Sequence, residues 1–281
     1  MARFRPRRTF RLISHLLEGH RAALPAWKRQ EEGLSRDLRE RWTALHRHCP
    51  DRSSYLRLGR LIHRLTHDDY GVRESALAEL ELATQLIHAG ALVSFLPESQ
   101  ARTADLECHV GRERFFVEVT AMVGSTEWRR LPLRSLISDE ESEDKTDRGT
   151  VLIHRILARI QQKAKQLTDY RDPVVLSISI PRADLRGNRT ARREGIRLDV
   201  KALAGAVTLL LTKLRHLGAV LIAFWDVEPL PSKSATRLAN VELVERPRQQ
   251  RGHPRVRLLI QNPQASSPLT ERQRYSFEQI V

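Results

Sequence analysis

The sequence predicts an α/β protein in which helices pack on a sheet. Helical and strand-like segments alternate after residue 70, in the order helix, three strands, helix, strand, helix, strand. The helical segments carry apolar residues on one stripe, whereas the strand segments are short apolar runs bounded by glycine or proline. The chain has 281 residues, 41% of them hydrophobic, enough for a sizeable core in one large domain or two small ones.

Val72 to Ala89 reads as a strong helix, ended by Gly90. Leu92 to Leu96 reads as a strand. Ala104 to Val110 and Arg114 to Thr120 are two short strands around Gly111-Arg112. Val151 to Leu167 is a second helix, and Pro173 precedes the strand Val174 to Ile180. Val200 to Leu217 is a third helix, followed by Gly218 and the strand Ala219 to Trp225. Val241 to Val244 and Val256 to Ile260 suggest a late hairpin, and the tail from Pro263 looks irregular. The division expected is a basic helical region 1–70, an α/β core 71–230, and a hairpin with tail 231–281.

Charge is uneven. Lys plus Arg is 48 and Asp plus Glu is 34, a net of +14. The first 64 residues hold 16 basic and 6 acidic residues, a net of +10, and the remaining 217 hold 32 and 28, a net of +4. A concentrated basic segment attracts polyanions, nucleic acid first among them. Arginine bias in a GC-rich genome gives the same count, so charge does not fix function. An acidic run, Ser138 to Asp147, is expected to be mobile. No run approaches the roughly 20 apolar residues of a membrane span. Met1 to Leu17 holds five arginines and no acid, but its apolar patch is short and interrupted, so a first helix is preferred to a leader. Two cysteines exclude a disulfide scaffold and fit a reducing, cytoplasmic setting. His46-Arg47-His48-Cys49 lacks a second ligand pair at finger spacing and reads as surface.

The hairpin carries the chemistry. If Gly111-Arg112 is a two-residue turn, Val110 pairs with Glu113 and paired numbers sum to 223. Asp105 then faces Glu118, while Leu106, Val117, Cys108 and Phe115 share the other, apolar face. Two carboxylates opposed across a strand pair repel. A divalent cation such as Mg²⁺ relieves this, since it takes oxygen ligands and binds through one or two carboxylates. The competing reading is a pair of solvated acids at a sheet edge. An arginine held between them would remove the need for a cation.

Glu79 lies inside the apolar stripe of its helix, with Ala76, Leu82, Ala83 and Leu86 at helical spacing. Glu81 is expected on the opposite, solvated side with Gln85 and His88. A carboxylate on a buried face needs a partner, and a nearby arginine serves as well as a metal site. On the second helix, Ile153, Ile156, Leu157, Ile160, Ala164 and Leu167 form a stripe with Lys163 at its edge and Lys165 farther round. Lys163 is either a snorkelling side chain or an ammonium beside the acid pair.

A helix glutamate, then Asp105 in Ala-Asp-Leu, then Glu118-Val119-Thr120 after a hairpin, then helix and strand, resembles the PD-(D/E)XK nuclease superfamily. The likeness covers roughly residues 72–180, with further helix and strand to 225. It implies a restriction-endonuclease-like core, with Asp105 and Glu118 as Mg²⁺ ligands (Mn²⁺ as a substitute) and Glu79 as the supporting acid. The family's lysine, two residues after the glutamate, is Thr120 here. Thr120 lacks a positive charge, although its hydroxyl can bond a water. Some members move the lysine to the next helix, which Lys163 suits. The activity implied is Mg²⁺-dependent hydrolysis of phosphodiester bonds, with DNA as the substrate and defence or restriction as the setting. Arg186, Arg189, Arg192 and Arg193, in an arginine- and glycine-rich loop, would hold the phosphate backbone. Few aromatics stand among them, so base stacking is not indicated. A nucleic-acid-binding module of the same fold without catalysis is one alternative; an interaction protein docking an acidic partner is another. No membrane partner is expected, and homo-oligomers remain open.

Overall fold

The structure, a computed structural model, describes residues 40–41, 44–45, 47–48, 51–65, 67–96, 104–122, 148–180, 196–225, 227–230, 238–248 and 253–281. Contacts divide the chain into Met1–Arg47 and His48–Val281. In the first unit the described residues, between 40 and 47, are helical. The acidic run 138–147 and the loop with Arg186, Arg189, Arg192 and Arg193 lie outside the described residues.

The second unit contains α1 (Arg52–Leu65), α2 (Tyr70–His88), β1 (Leu92–Phe95), β2 (Leu106–Val110), β3 (Glu113–Ala121), α3 (Arg148–Ala164), β4 (Val174–Ile180), β5 (Ile196–Leu198), α4 (Val200–Leu211), β6 (Ala219–Phe224), β7 (Val227–Pro229), β8 (Val241–Glu245), β9 (Val256–Gln261) and α5 (Glu271–Glu278). It is an α/β unit on a mixed seven-stranded sheet, ordered β1-β2-β3-β4-β6-β9-β8. The strands β3, β4 and β6 run parallel; β1, β2, β8 and β9 flank them in antiparallel pairs. A short parallel ladder of β5 and β7 stands apart from this sheet.

The expected hairpin register holds: Val110 pairs Glu113 and Leu106 pairs Val117. Gly111 has φ +63°, the left-handed conformation that a tight hairpin turn needs and glycine supplies. Asp69 caps α2 by accepting from Val72 N at 3.0 Å, and the chain turns at Gly90, φ +86°.

One face of the sheet packs on α3 and α4. Phe116, Leu176, Ile178, Val220, Ile222, Leu258 and Ile260 meet Ile156, Ile160, Leu203 and Val207 there. On the other face Phe115 meets Phe277 of α5 edge-on at 5.4 Å, a contact worth about 0.5–1.5 kcal/mol beyond its buried area.

Three expectations need correction. The helix expected over Val200–Leu217 ends at Leu211. The Asn262 side chain donates to the carbonyls of Leu211, Leu214 and Leu217 at 3.0, 3.2 and 2.9 Å, which satisfies the broken helical carbonyls in tighter turns. The tail from Pro263 is not irregular: Thr270 caps α5 in a capping box with Gln273, and Phe277 is fully buried. Glu81 is not surface. It is 7% exposed, 3.8 Å from Arg257 of β9, because α2 buries both flanks of its stripe rather than one.

Candidate active site

The site is built where β2, β3, α2 and α3 meet α1. Asp105 stands one residue before β2, opposite Glu118, and its backbone amide donates to Val117 O at 3.1 Å. Its Oδ2 accepts from Val119 N at 2.8 Å, which turns the carboxylate towards β3. Glu118 and Thr120, two residues apart on a strand, share a face. Both are buried and stand in parallel register with Leu176 and Ile178, so this is the face packed by α3. Lys163, in the last turn of α3, reaches Glu118 Oε1 at 2.7 Å.

Glu79 of α2 is 2% exposed. Two arginines of α1 meet it: Arg64 at 3.1 Å and Arg57 at 3.7 Å. Arg57 also lies 3.8 Å from Asp105 Oδ1. The Ser54 hydroxyl fixes α1 by accepting from Phe95 N at 2.6 Å. Arg57 therefore stands between Glu79 and Asp105, and Lys163 stands against Glu118.

Three carboxyls thus face three protein cations, and the carboxyls feel burial more than the cations. Burial, then the Asp105 charge, pushes Glu79 up to about 8 against the pull of Arg57 and Arg64. Burial, then the Asp105 charge and a hydrogen bond with Asp105, pushes Glu118 up to about 7 against Lys163. Burial also raises Asp105, opposed by the Val119 amide, Arg57 and Lys163. Burial and mutual repulsion thus disfavour three negative charges here at once. Tyr170 borders the group: its hydroxyl accepts from Ala104 N at 2.5 Å, its ring lies 4.4 Å from Phe116, and burial raises its own ionisation.

The structure brings Glu79, Asp105, Glu118, Thr120 and Lys163 into one region of the fold. Sequence reading passed over Arg57, Arg64 and Tyr170. The signal for the arginines was present: Ser54, Arg57, Leu61 and Arg64 recur at helical spacing on one face of α1. Tyr170, in the turn after α3, gave no comparable signal.

Among the described residues no group of three or more His, Cys, Asp or Glu side chains is placed to hold a metal ion. The pair Asp105 and Glu118 nevertheless suits a hard divalent cation in donor chemistry. Both are carboxylates on paired strands, and each is disfavoured as an anion by burial. Metal binding displaces protons from such groups. No helix among the described residues is long and apolar enough to cross a membrane. No family model, curated protein or solved structure matches the chain.

Proposed function

We propose that the protein is a metal-dependent phosphodiester hydrolase acting on nucleic acid, with DNA as its substrate. The observation that carries this reading is Lys163 of α3 at 2.7 Å from Glu118, across from Asp105 in hairpin register. An ammonium beside two opposed carboxylates, with a buried acid behind them, is a set that could hold a divalent cation and orient a water for hydrolysis of a phosphodiester. The order α2, β1–β3, α3, β4 supports a restriction-endonuclease-like core. Lys163 takes the place that Thr120 leaves without charge.

In this reading Asp105 and Glu118 hold Mg²⁺, or Mn²⁺ in its stead. Bound there, the ion would polarise the phosphate and lower the pKa of a water. Lys163, whose ammonium donates to Glu118 Oε1 at 2.7 Å, would orient that water and stabilise the hydroxide by its charge, the water's proton leaving to solvent. The Val119 amide holds Asp105 in one orientation. Glu79 holds Arg57 and Arg64, so its part is to position the guanidinium beside Asp105. A second reading is favoured by Arg57 itself. With a cation already at Asp105 and Thr120 at the lysine position, the fold serves as a nucleic-acid-binding module without hydrolysis.

The test is incubation of the purified protein with supercoiled plasmid, linear duplex and RNA, in Mg²⁺, Mn²⁺ or EDTA. Cleavage that needs metal and is lost in both Asp105→Ala and Glu118→Ala, with helical content unchanged, is expected. Cleavage at the parental rate in both variants overturns the site. Salt-dependent DNA binding without cleavage supports the second reading instead.

A further inference from the structure

We propose that the protein self-associates through β8, which pairs antiparallel with β8 of a second copy so that the sheet continues across a twofold axis. This goes beyond the hydrolase reading and does not rest on it. β8 ends the order of the seven-stranded sheet. On its inner side, Gln261 N donates to Asn240 O and Arg246 N donates to Arg255 O, each at 2.9 Å. Bonding alternates along an antiparallel strand, so the even-numbered residues of β8 turn their backbone groups to β9. The N–H and C=O of Val241, Leu243 and Glu245 therefore face outward, and among the described residues no hydrogen bond reaches them there. The opposite edge of the sheet is closed. Leu96 N donates inward to Asp105 O, so Phe95 N faces outward on β1, and the Ser54 hydroxyl of α1 accepts from it at 2.6 Å. An open strand edge is a template for another strand.

The charges along this edge point to a second copy as the occupant. The strand and the residue after it read Val-Glu-Leu-Val-Glu-Arg, from Val241 to Arg246. When two such strands run antiparallel with Val244 against its own copy, Glu242 falls opposite the partner's Arg246, and symmetry repeats the pair. Leu243 then falls opposite the partner's Glu245. Both are outward residues, so each such pair exchanges both of its backbone hydrogen bonds. Pro247, at the next outward position, has no N–H to give and ends the ladder. The alignment that sets Leu243 against its own copy puts Glu242 opposite Val244 and answers neither charge. Glu242 is exposed and has no ion-pair partner among the described residues. Arg246 is half-buried, one guanidinium nitrogen donating to Pro254 O at 3.1 Å. Charges on an edge strand ordinarily keep other strands away. Here opposite signs meet, which favours a cross-strand pair as like signs oppose it. The seam is short, so the dimer is a reversible one.

The test is sedimentation velocity of the full chain at low salt, over about a hundredfold range of concentration reaching about 100 μM. The parent is expected to pass from monomer to dimer within that range. Glu242→Arg sets like charges opposite each other at both pairs, and Arg246→Glu does the same with the other sign. Each variant alone should dimerise about tenfold more weakly than the parent. An equimolar mixture of the two variants sets opposite charges across the seam again and should associate about as well as the parent. A variant that had merely misfolded would not recover on mixing. A parent that stays monomeric throughout overturns the proposal. So does a dimer that neither substitution weakens, and so does a mixture that associates no better than its components.

Discussion

Lys163 Nζ lies 2.7 Å from Glu118 Oε1, joining the last turn of α3 to the middle of β3 across 45 residues of chain. Glu118 is buried and Lys163 about a fifth exposed, so water screens this pair only in part. A snorkelling lysine would extend its head into solvent; this one turns it towards a strand. Replacing Lys163 with Met should slow Mg²⁺-dependent cleavage by about 10²-fold or more, the usual loss when a group that stabilises developing charge is removed. Single-turnover plasmid nicking across a pH series measures it. Parental rates in the variant would return Lys163 to a structural role.

Arg57 stands 3.7 Å from Glu79 and 3.8 Å from Asp105, nearly excluded from solvent. In the proposed reading it would compete for Asp105 with a divalent cation. Arg57→Gln should therefore lower the Mg²⁺ concentration needed for half-maximal cleavage. The same change removes a buried guanidinium beside Glu79 and should destabilise the fold by about 1–3 kcal/mol. Arg57→Lys should recover part of both effects. Thermal melts and a Mg²⁺ titration of the rate separate them. An unchanged Mg²⁺ requirement would show that Arg57 does not contend for the metal site.

The acid pair was legible because strand pairing is arithmetic. Once Gly111-Arg112 is the turn, every partner follows, and Asp105 falls opposite Glu118. Glu79 was legible because a carboxylate inside an apolar stripe breaks its pattern. Burial of Glu81 was not, since α2 is enclosed on more than one side and periodicity reports only the dominant face. Its partner Arg257 lies 176 residues away on β9, a distance that no local pattern spans. Helix α5 was missed because Glu-Arg-Gln-Arg-Tyr-Ser-Phe-Glu is mostly polar; Phe277 is buried beside the polar Gln273 and Ser276, and its Thr270 cap sits in a stretch that reads as loop. The early end of α4 was hidden for a similar reason, because Asn262 performs the termination from 51 residues downstream.

Glu79 and Glu81 are both buried, yet their surroundings differ, and this separates function from stability. Glu81 meets Arg257, whose guanidinium also donates to Ile280 O, in a contact between α2, β9 and the end of α5. Glu79 meets the two arginines beside Asp105. Glu81→Gln should lower stability by about 1–3 kcal/mol, the range for a buried polar group that loses its partner, while cleavage stays near parental. Glu79→Gln should lower cleavage about tenfold or more by loosening Arg57 beside Asp105. Chemical denaturation and cleavage rates on the same samples decide it. Equal effects on cleavage would mean that the arginine brace does not serve the site.

The buried acids also set a pH dependence with a definite sign. Glu79 titrates at about 8 and Glu118 at about 7, against 4.5 for each in its ordinary state. Between pH 4.5 and about 8 the folded chain therefore holds protons that the unfolded chain has released. Stability falls with rising pH wherever the native state binds more protons. The contribution is fully present below pH 4.5 and is lost as pH climbs through about 7 and then about 8. Glu79→Gln fixes one of these groups in a neutral form. Its melting temperature should decline less than the parent's between pH 5 and pH 8.5, about the span of the Glu79 shift. Mg²⁺ acts in the opposite sense, because it binds the ionised carboxylates and displaces their protons. Added Mg²⁺ should raise the melting temperature more at about pH 8 than at about pH 6, and this gain should vanish in Asp105→Asn. Melts of parent and variants over the pH series, with and without Mg²⁺, measure both effects. A parent that loses no more stability than Glu79→Gln as pH rises would show that Glu79 is already ionised, held by Arg57 and Arg64 as an ordinary ion pair.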